Sequence, residues 1–599
     1  MISFPKPDVE QFLRSFSITD FAVSPDEKQI VFSTNLSGKY NLWAMNPPNN
    51  FPHQLTFKDQ SSQGLIFDKK GRFIIVGFDH DGDENTQLYA LPPQGGVLKE
   101  VVHHKGARNG MPFLSKDGER LFFTSSKDNE TFLNVYSLNL ATGEEEVVLE
   151  GKESATYLVG LSPNESDFLY LKTFSNTYQL LYAKFGDEHI PLTPPTEEEH
   201  TAGNGLFVSE SIVYLLTNYG ADFSYLASFD LQTKEFTKLK ELPNEDFSSL
   251  KYDRENNILY IHSEKGVEDH LYQYHLKDNS WEEIQLPCSV VEKTVVVDSG
   301  TLYLLGRSAT KPLNLYKRVE DEWVALTNYQ IPGVNADQLV EPDVITYKSF
   351  DGLEIESLFF KAKPENDKGE IIFWPHGGPQ AAERKQFRAM FQSFLYEGYS
   401  VFAPNFRGST GYGLAFMKMV EGDWGEGPRL DNVAALDWLI ENGYAKKGNI
   451  YLVGGSYGGY MSLLLHGRHA EYFKAVIDIF GPSDLFSFID SVPEHWKPIM
   501  DQWVGNPEKD RDKLIEFSPI TYLDGMTKPM LVIQGANDPR VVKAESDKIV
   551  EALKKLGREV EYMVLEDEGH GFSKKENEIA VSRKMLEFME KYNSVNVKA

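Results

Sequence analysis

The sequence has almost no cysteine. Cys288 stands alone, so no intramolecular disulfide and no multi-cysteine zinc site can form. No apolar run reaches the ~18 residues needed to cross a bilayer, and the N-terminus MISFPKPDVEQF lacks the basic and apolar regions of a signal peptide. Basic charge is also scarce. Lysine and arginine number 60 against 89 aspartates and glutamates, a net charge of −29 over 599 residues. Such a chain is repelled by phosphate backbones and anionic lipid. The expectation is a cytoplasmic protein that binds neither nucleic acid nor membrane. No residue cluster asks for a cofactor or a metal. Asp79, Asp81 and Asp83 open like a calcium loop, but the glycine falls at Gly82 rather than at the sixth position, and Ala90 stands where the closing glutamate belongs.

What is present is a repeat. Between residues 20 and 330, turn residues lead into a short β-rich run, a polar gap and a second run. The first runs are QIVFS, RFIIVG, RLFFTS, DFLYLK, IVYLL, ILYIH and TLYLL. The second are NLWAMN, QLYALP, NVYSLN, LLYAKF, YLASFD, LYQYHL and LNLYKR. Seven units at about 44–47 residues fit propeller blades. One such sheet cannot bury both faces alone, and radial stacking buries them. No unit carries a Gly-His…Trp-Asp signature, so a WD40 hub is not indicated. From about Val344 strands alternate with amphipathic helices, the pattern of an α/β domain. The expected division is an N-terminal segment (1–20), a seven-bladed β-propeller (21–335) and an α/β-hydrolase domain (336–599).

Gly454-Gly455-Ser456-Tyr457-Gly458-Gly459 places Gly-x-Ser-x-Gly between a strand and a helix, where the turn exposes a serine hydroxyl. A serine attacks only when a base takes its proton. The chain order Ser, Asp, His of α/β-hydrolases selects Asp538 after PMLVIQG and His570 after VEYMVLE. His466 and His469 lie on the helix after Ser456, and His495 precedes the aspartate. The oxyanion requires two donors. The backbone N–H of Tyr457 is one, and Gly378 in His376-Gly377-Gly378-Pro379 is the expected second.

These motifs, with Asn405–Gly413 (NFRGSTGYG), Gly422–Gly425 (GDWG) and Asn537–Val541 (NDPRV), resemble the prolyl oligopeptidase family of serine peptidases over nearly the whole chain. The set is most similar to the acylaminoacyl-peptidase branch. That resemblance implies that Arg540 orients the bound peptide and pairs with a propeller glutamate, here Glu84. No paired-glutamate helix of the dipeptidyl peptidase kind is seen, Val542 stands where proline is common, and the segment before the first blade has room for only a short helix. Phe486 and Phe488, in the loop after Phe480, are expected to line an apolar pocket for the residue before the cut. The acidic run Glu197–Glu199 is a solvated loop. The implied substrates are short peptides, from which an N-acylated residue is released. Dipeptidyl peptidase, oligopeptidase and carboxylesterase activities use the same machinery and stay open, as does homo-oligomerisation.

Overall fold

In the computed structural model, residue 2 and residues 5–593 are described. Residues 18–325 form seven four-stranded antiparallel sheets, each built from consecutive strands: blade 1 (18–54), blade 2 (62–102), blade 3 (109–150), blade 4 (155–191), blade 5 (202–240), blade 6 (246–284) and blade 7 (290–325). The fourth strand is the frayed edge of each blade, as in NNFPHQ of blade 1, where exposed and half-buried residues alternate. The second and third strands are nearly continuous apolar runs because both their faces meet a neighbouring blade.

Among the described residues, no strand is shared between the first and last blades. Side chains close the ring. Ile18 and Phe21 of blade 1 pack with Tyr303 and Leu305 of blade 7. The Tyr303 hydroxyl donates to Glu27 at 2.8 Å, and Lys293 donates to the Phe21 carbonyl at 2.9 Å.

The second domain is one eight-stranded sheet of β1 (Asp343–Lys348), β2 (Glu354–Phe360), β3 (Glu370–Phe373), β4 (Tyr399–Pro404), β5 (Ile450–Gly455), β6 (Phe473–Ile479), β7 (Met530–Gly535) and β8 (Val560–Leu565). Its order is β1-β2-β4-β3-β5-β6-β7-β8. The first two strands join antiparallel and the rest run parallel. This is the α/β-hydrolase arrangement expected above. Alternation at period two feeds two cores. Phe402, Leu452 and Val532 point to one face, and Val401, Val453 and Ile533 to the other.

The helices used below are α1 (Val9–Leu13), α2 (Ala389–Tyr396), α3 (Gly427–Glu441), α4 (Tyr457–His469), α5 (Leu485–Ser491), α6 (Lys497–Trp503), α7 (Lys543–Lys555) and α8 (Lys575–Lys591). Helices α3, α4 and α7 pack on the first face, and α2 and α8 on the second. The short N-terminal helix α1 is held by a capping box between Asp8 and Gln11. It buries Val9 and Leu13 in the second core, so the segment before the propeller is tied to the hydrolase half. Among the described residues, no helix is long and apolar enough to cross a membrane.

The domains meet around much of the ring. Asp81 of blade 2 pairs with Lys574 at 2.7 Å, and Asn176 Nδ2 of blade 4 donates to Gln380 Oε1 at 2.7 Å. Asp222 of blade 5 accepts from the Ala415 N–H at 2.7 Å, and Gln392 of α2 donates to the Ala309 carbonyl of blade 7 at 3.0 Å.

Candidate active site

Parallel strands end on one edge of the sheet, and loops at that edge carry the side chains of interest. Ser456 follows β5, Asp538 follows β7, and His570 follows β8. Ser456 sits at φ 59° and ψ −123°. A non-glycine residue there is strained by about 1–3 kcal/mol, and the surrounding packing holds it. The packing is tight because the flanking residues are glycines. A Cβ on Gly458 would run into the carbonyl oxygen of Pro375, so α4 rests directly on the backbone of the segment that carries His376.

The structure brings Ser456, His570 and Asp538 together. Ser456 Oγ lies 2.9 Å from His570 Nε2, and His570 Nδ1 lies 2.6 Å from Asp538 Oδ2. The other carboxylate oxygen of Asp538 accepts from the N–H groups of Arg540 at 2.9 Å and Val541 at 3.0 Å. Asp538 is therefore held as a buried acceptor aimed at Nδ1. That arrangement puts the His570 proton on Nδ1 and leaves Nε2 free to take one from the serine. The loop of His570 is set by buried Glu568, which accepts from Ser573 N–H at 3.0 Å and Lys574 N–H at 3.0 Å. Sequence inspection missed Glu568, because a buried glutamate two residues from a histidine has no local signature.

Tyr457 is the first residue of α4, so its N–H has no acceptor within the helix. The His376 loop passes against the serine. A Cβ on Gly377 would lie 3.3 Å from Ser456 Cβ. His376 is buried, stacked on Phe406 at 4.2 Å, and bonded to the Gly377 carbonyl at 2.7 Å and the Ser409 hydroxyl at 2.8 Å. Burial pushes its imidazole down to about 4, so it is a neutral anchor for this loop. The other histidines are occupied elsewhere. His466 accepts from the Lys528 N–H at 3.0 Å, and His469 faces Arg429 at 2.6 Å.

Glu84 and Arg540 meet across the domain interface, with Arg540 Nε 2.6 Å from Glu84 Oε1. The second oxygen of Glu84 faces Arg108, just before blade 3, at 3.2 Å. Arg108 lies 24 residues further along, in the connection between blades 2 and 3, and nothing local in the sequence links it to Glu84. Both guanidiniums keep about 40% of their side-chain surface open (41% for Arg540 and 40% for Arg108). They border a cavity of about 380 Å³ with Trp496, Ile499 and His495 from the region of α6 and with the inner strands of blades 3 and 4. Burial and the two arginines push His495 down to about 4.

Phe486 and Phe488 are not at the pocket. Asp484 caps α5 by accepting from the Phe486 N–H at 3.0 Å, so the expected loop is a helix. Its winding turns Phe488 into the core against Trp424, at 5.6 Å between rings, and leaves Phe486 beneath the Arg511 guanidinium. The aromatic residue beside the serine is Phe480, whose ring lies 4.5 Å from that of His570.

Asp478, at the end of β6, is fully buried beneath α4. One oxygen accepts from the Gly481 N–H at 2.9 Å, and the other has no partner among the described residues. Burial pushes this carboxyl from 3.8 up to about 8. A raised folded pKa means that its contribution to stability is complete below the ordinary value and is lost as pH rises through about 8. Asp478→Asn is expected to flatten that decline. Thermal unfolding at pH 6 and pH 9 checks this, and an equal drop in both proteins would contradict it.

Residues 385–595 match the model of the prolyl oligopeptidase family. Dipeptidyl aminopeptidase BIII of Pseudoxanthomonas mexicana is 26% identical over 93% of this chain and 84% of its own length. The structure of a puromycin-hydrolyzing peptidase of Mycobacterium tuberculosis superposes with a TM-score of 0.86 at 18% identity, covering 99% of this chain and 97% of that one. The acylaminoacyl peptidase of Pyrococcus horikoshii gives 0.74 at 18% identity, covering 98% of each chain.

Proposed function

We propose that this chain, whose residues 385–595 match the prolyl oligopeptidase family of serine peptidases, removes a short N-terminal unit from small peptides through an acyl-enzyme on Ser456. The observation that carries the proposal is the relay of two hydrogen bonds, 2.9 Å and 2.6 Å, from Ser456 through His570 to Asp538. Ser456 Oγ attacks the scissile carbonyl while His570 Nε2 takes its proton. Asp538 fixes the imidazole and stabilises the imidazolium. The N–H groups of Tyr457 and Gly378 receive the oxyanion. His570 then protonates the departing amine, and a water attacks the acyl-enzyme by the reverse path.

Arg540 and Arg108 read the N-terminal side of the substrate. Glu84 is shared between both arginines, so the group carries a net positive charge and has no spare carboxylate for an α-ammonium. Two half-open guanidiniums suit carbonyl oxygens. This favours a blocked terminus, as in acylaminoacyl peptidases, with the side chain before the cut against Trp496 and Ile499. The domains clamp around the ring, which favours short peptides in a cytoplasmic setting over folded proteins.

A second reading, dipeptide release from a free terminus, has one observation behind it: two relatives that each span 93% of the chain bear dipeptidyl peptidase or aminopeptidase names. Matched N-acetylated and free peptides, with products mapped by mass spectrometry, decide between the two. Release of one acetylated residue supports the first reading. Dipeptides from the free peptide support the second. Ester turnover with no peptide cleavage overturns both.

Glu84→Gln tests the arginine pair. The ion pairs are part-exposed, so the effect is moderated by solvent. The variant is expected to raise KM about three- to tenfold with kcat little changed. An unchanged KM would remove Glu84 from substrate binding.

A further inference from the structure

A second cavity, of about 500 Å³, borders Ser456 and His570 and shares no lining residue with the one beside Arg540. Its size is that of a ligand cleft, roughly 300–1,000 Å³. Its hydrolase wall holds Trp374, Phe480 and Phe572, and its propeller wall holds Tyr40 of blade 1 and Arg307 of blade 7.

Chemistry decides which half of a substrate lies here. The leaving amine must receive its proton from His570, so the leaving fragment lies on the His570 side. Ser456 and His570 both border this cavity and neither borders the other, so with the acyl half read beside Arg540 the leaving fragment falls here.

Charge then decides what the far wall recognises. In a chain of net charge −29, the ionisable groups of the lining besides His570 and Tyr40 are Arg307, Arg388, Lys575 and Glu578, three cations against one carboxylate. Arg388 is spent on Glu383, at 2.6 Å and 3.0 Å, and Lys575 is spent on Glu578 at 2.6 Å. Arg307 is less fully used. One terminal nitrogen meets Glu292 at 2.6 Å, the other makes a long 3.4 Å contact with the Phe387 carbonyl, and the buried Nε has no partner among the described residues. Burial and the neighbouring Arg388 push the guanidinium below its ordinary value, against Glu292, which raises it. Burial also pushes the Tyr40 hydroxyl up to about 12, which keeps it a proton donor.

We propose that this cavity holds the leaving fragment and that Arg307, with Tyr40 beside it, receives the free C-terminal carboxylate of a short peptide. The inference rests on the serine-peptidase reading above. The aromatic wall takes the side chain after the cut, and the carboxylate contact sets a preference for substrates that end shortly beyond it. A guanidinium suits this task because its fork of donors matches a carboxylate.

The test uses the full wild-type chain and three substrates that share the same acyl half. One has a short leaving peptide with a free carboxylate, the second has the same peptide amidated, and the third is the p-nitroanilide. Amidation is expected to lower kcat/KM about tenfold or more, mainly through KM. Arg307→Gln is expected to bring the acid-to-amide ratio near one, and Arg307→Lys to retain part of it. Equal kcat/KM for acid and amide in the wild type overturns the proposal, and that comparison stands even if a variant fails to fold. A tenfold ratio that persists in Arg307→Gln overturns the role of Arg307. Failure of the peptidase reading looks different, because then none of the three substrates is cleaved.

Discussion

Ser456→Ala is expected to lower kcat by about 10⁴- to 10⁶-fold on any peptide that the wild-type chain cleaves. The hydroxyl is the group 2.9 Å from His570 Nε2, and without it the base has no nucleophile to activate. Donors for the oxyanion and the binding surfaces remain, so a residual rate above that in water survives. The fold is expected to be unaffected. Alanine at φ 59° meets nearly the same backbone strain as serine does, and the lost hydroxyl served only the relay. Progress curves with an N-acetylated peptide check the rate, and thermal unfolding checks that the melting temperature stays within about 2 °C. A rate within tenfold of wild type would contradict the assignment.

Gly82→Ala is expected to lower kcat about a hundredfold although Gly82 is on the propeller. Gly82 adopts φ +80°, and a Cβ there would sit 2.6 Å from the Gly569 nitrogen and 2.8 Å from its Cα. Both are backbone atoms of the residue before His570, so the clash cannot be relieved by turning a side chain. The His570 loop must move, and a displacement of about 1 Å at a reacting group costs on the order of 10² in rate. The left-handed backbone alone costs about 1–2 kcal/mol, which a control separates from the clash. Gly143 has φ +76° with nothing within 4 Å of its Cβ position. Gly143→Ala therefore carries the strain without the clash and is expected to keep wild-type kcat. Equal kcat values in the two variants would show that the blade 2 loop does not position His570.

Much of this architecture is legible in the sequence, and unevenly so. The runs that mark the seven repeats are the second and third strands of each blade, such as QIVFS and NLWAMN. Those strands are buried on both faces, so their apolar content is continuous. The fourth strands, such as EEVVLE in blade 3, are exposed edges and read as loops. The first strands are broken by bulges, as between Gly110 and Phe113 of blade 3, and their alternation is lost. Ser456, Asp538 and His570 were legible because each follows a strong parallel strand in the order that this fold requires.

What the sequence hid depends on contacts between distant segments. Phe486 and Phe488 look like pocket residues when read as a loop, and Asp484 instead starts a helix that turns Phe488 inward. The aromatic wall beside Arg540 comes from Trp496, in a stretch whose neighbouring His495 drew attention only as a rejected base. Arg108 lies just before blade 3, and Arg307 and Tyr40 lie on blades 7 and 1; they reach the site only because the ring closes against the hydrolase. No spacing rule joins residues brought together by that closure.

The most direct test of the central claim is the mass of the intact chain after exposure to a fluorophosphonate, followed by peptide mapping and by the residual rate on an N-acetylated peptide. The account predicts one adduct, on Ser456, with activity lost in proportion to labelling and no adduct in Ser456→Ala. Full peptide cleavage by chain labelled at Ser456, or inactivation with the adduct on another residue, would contradict it.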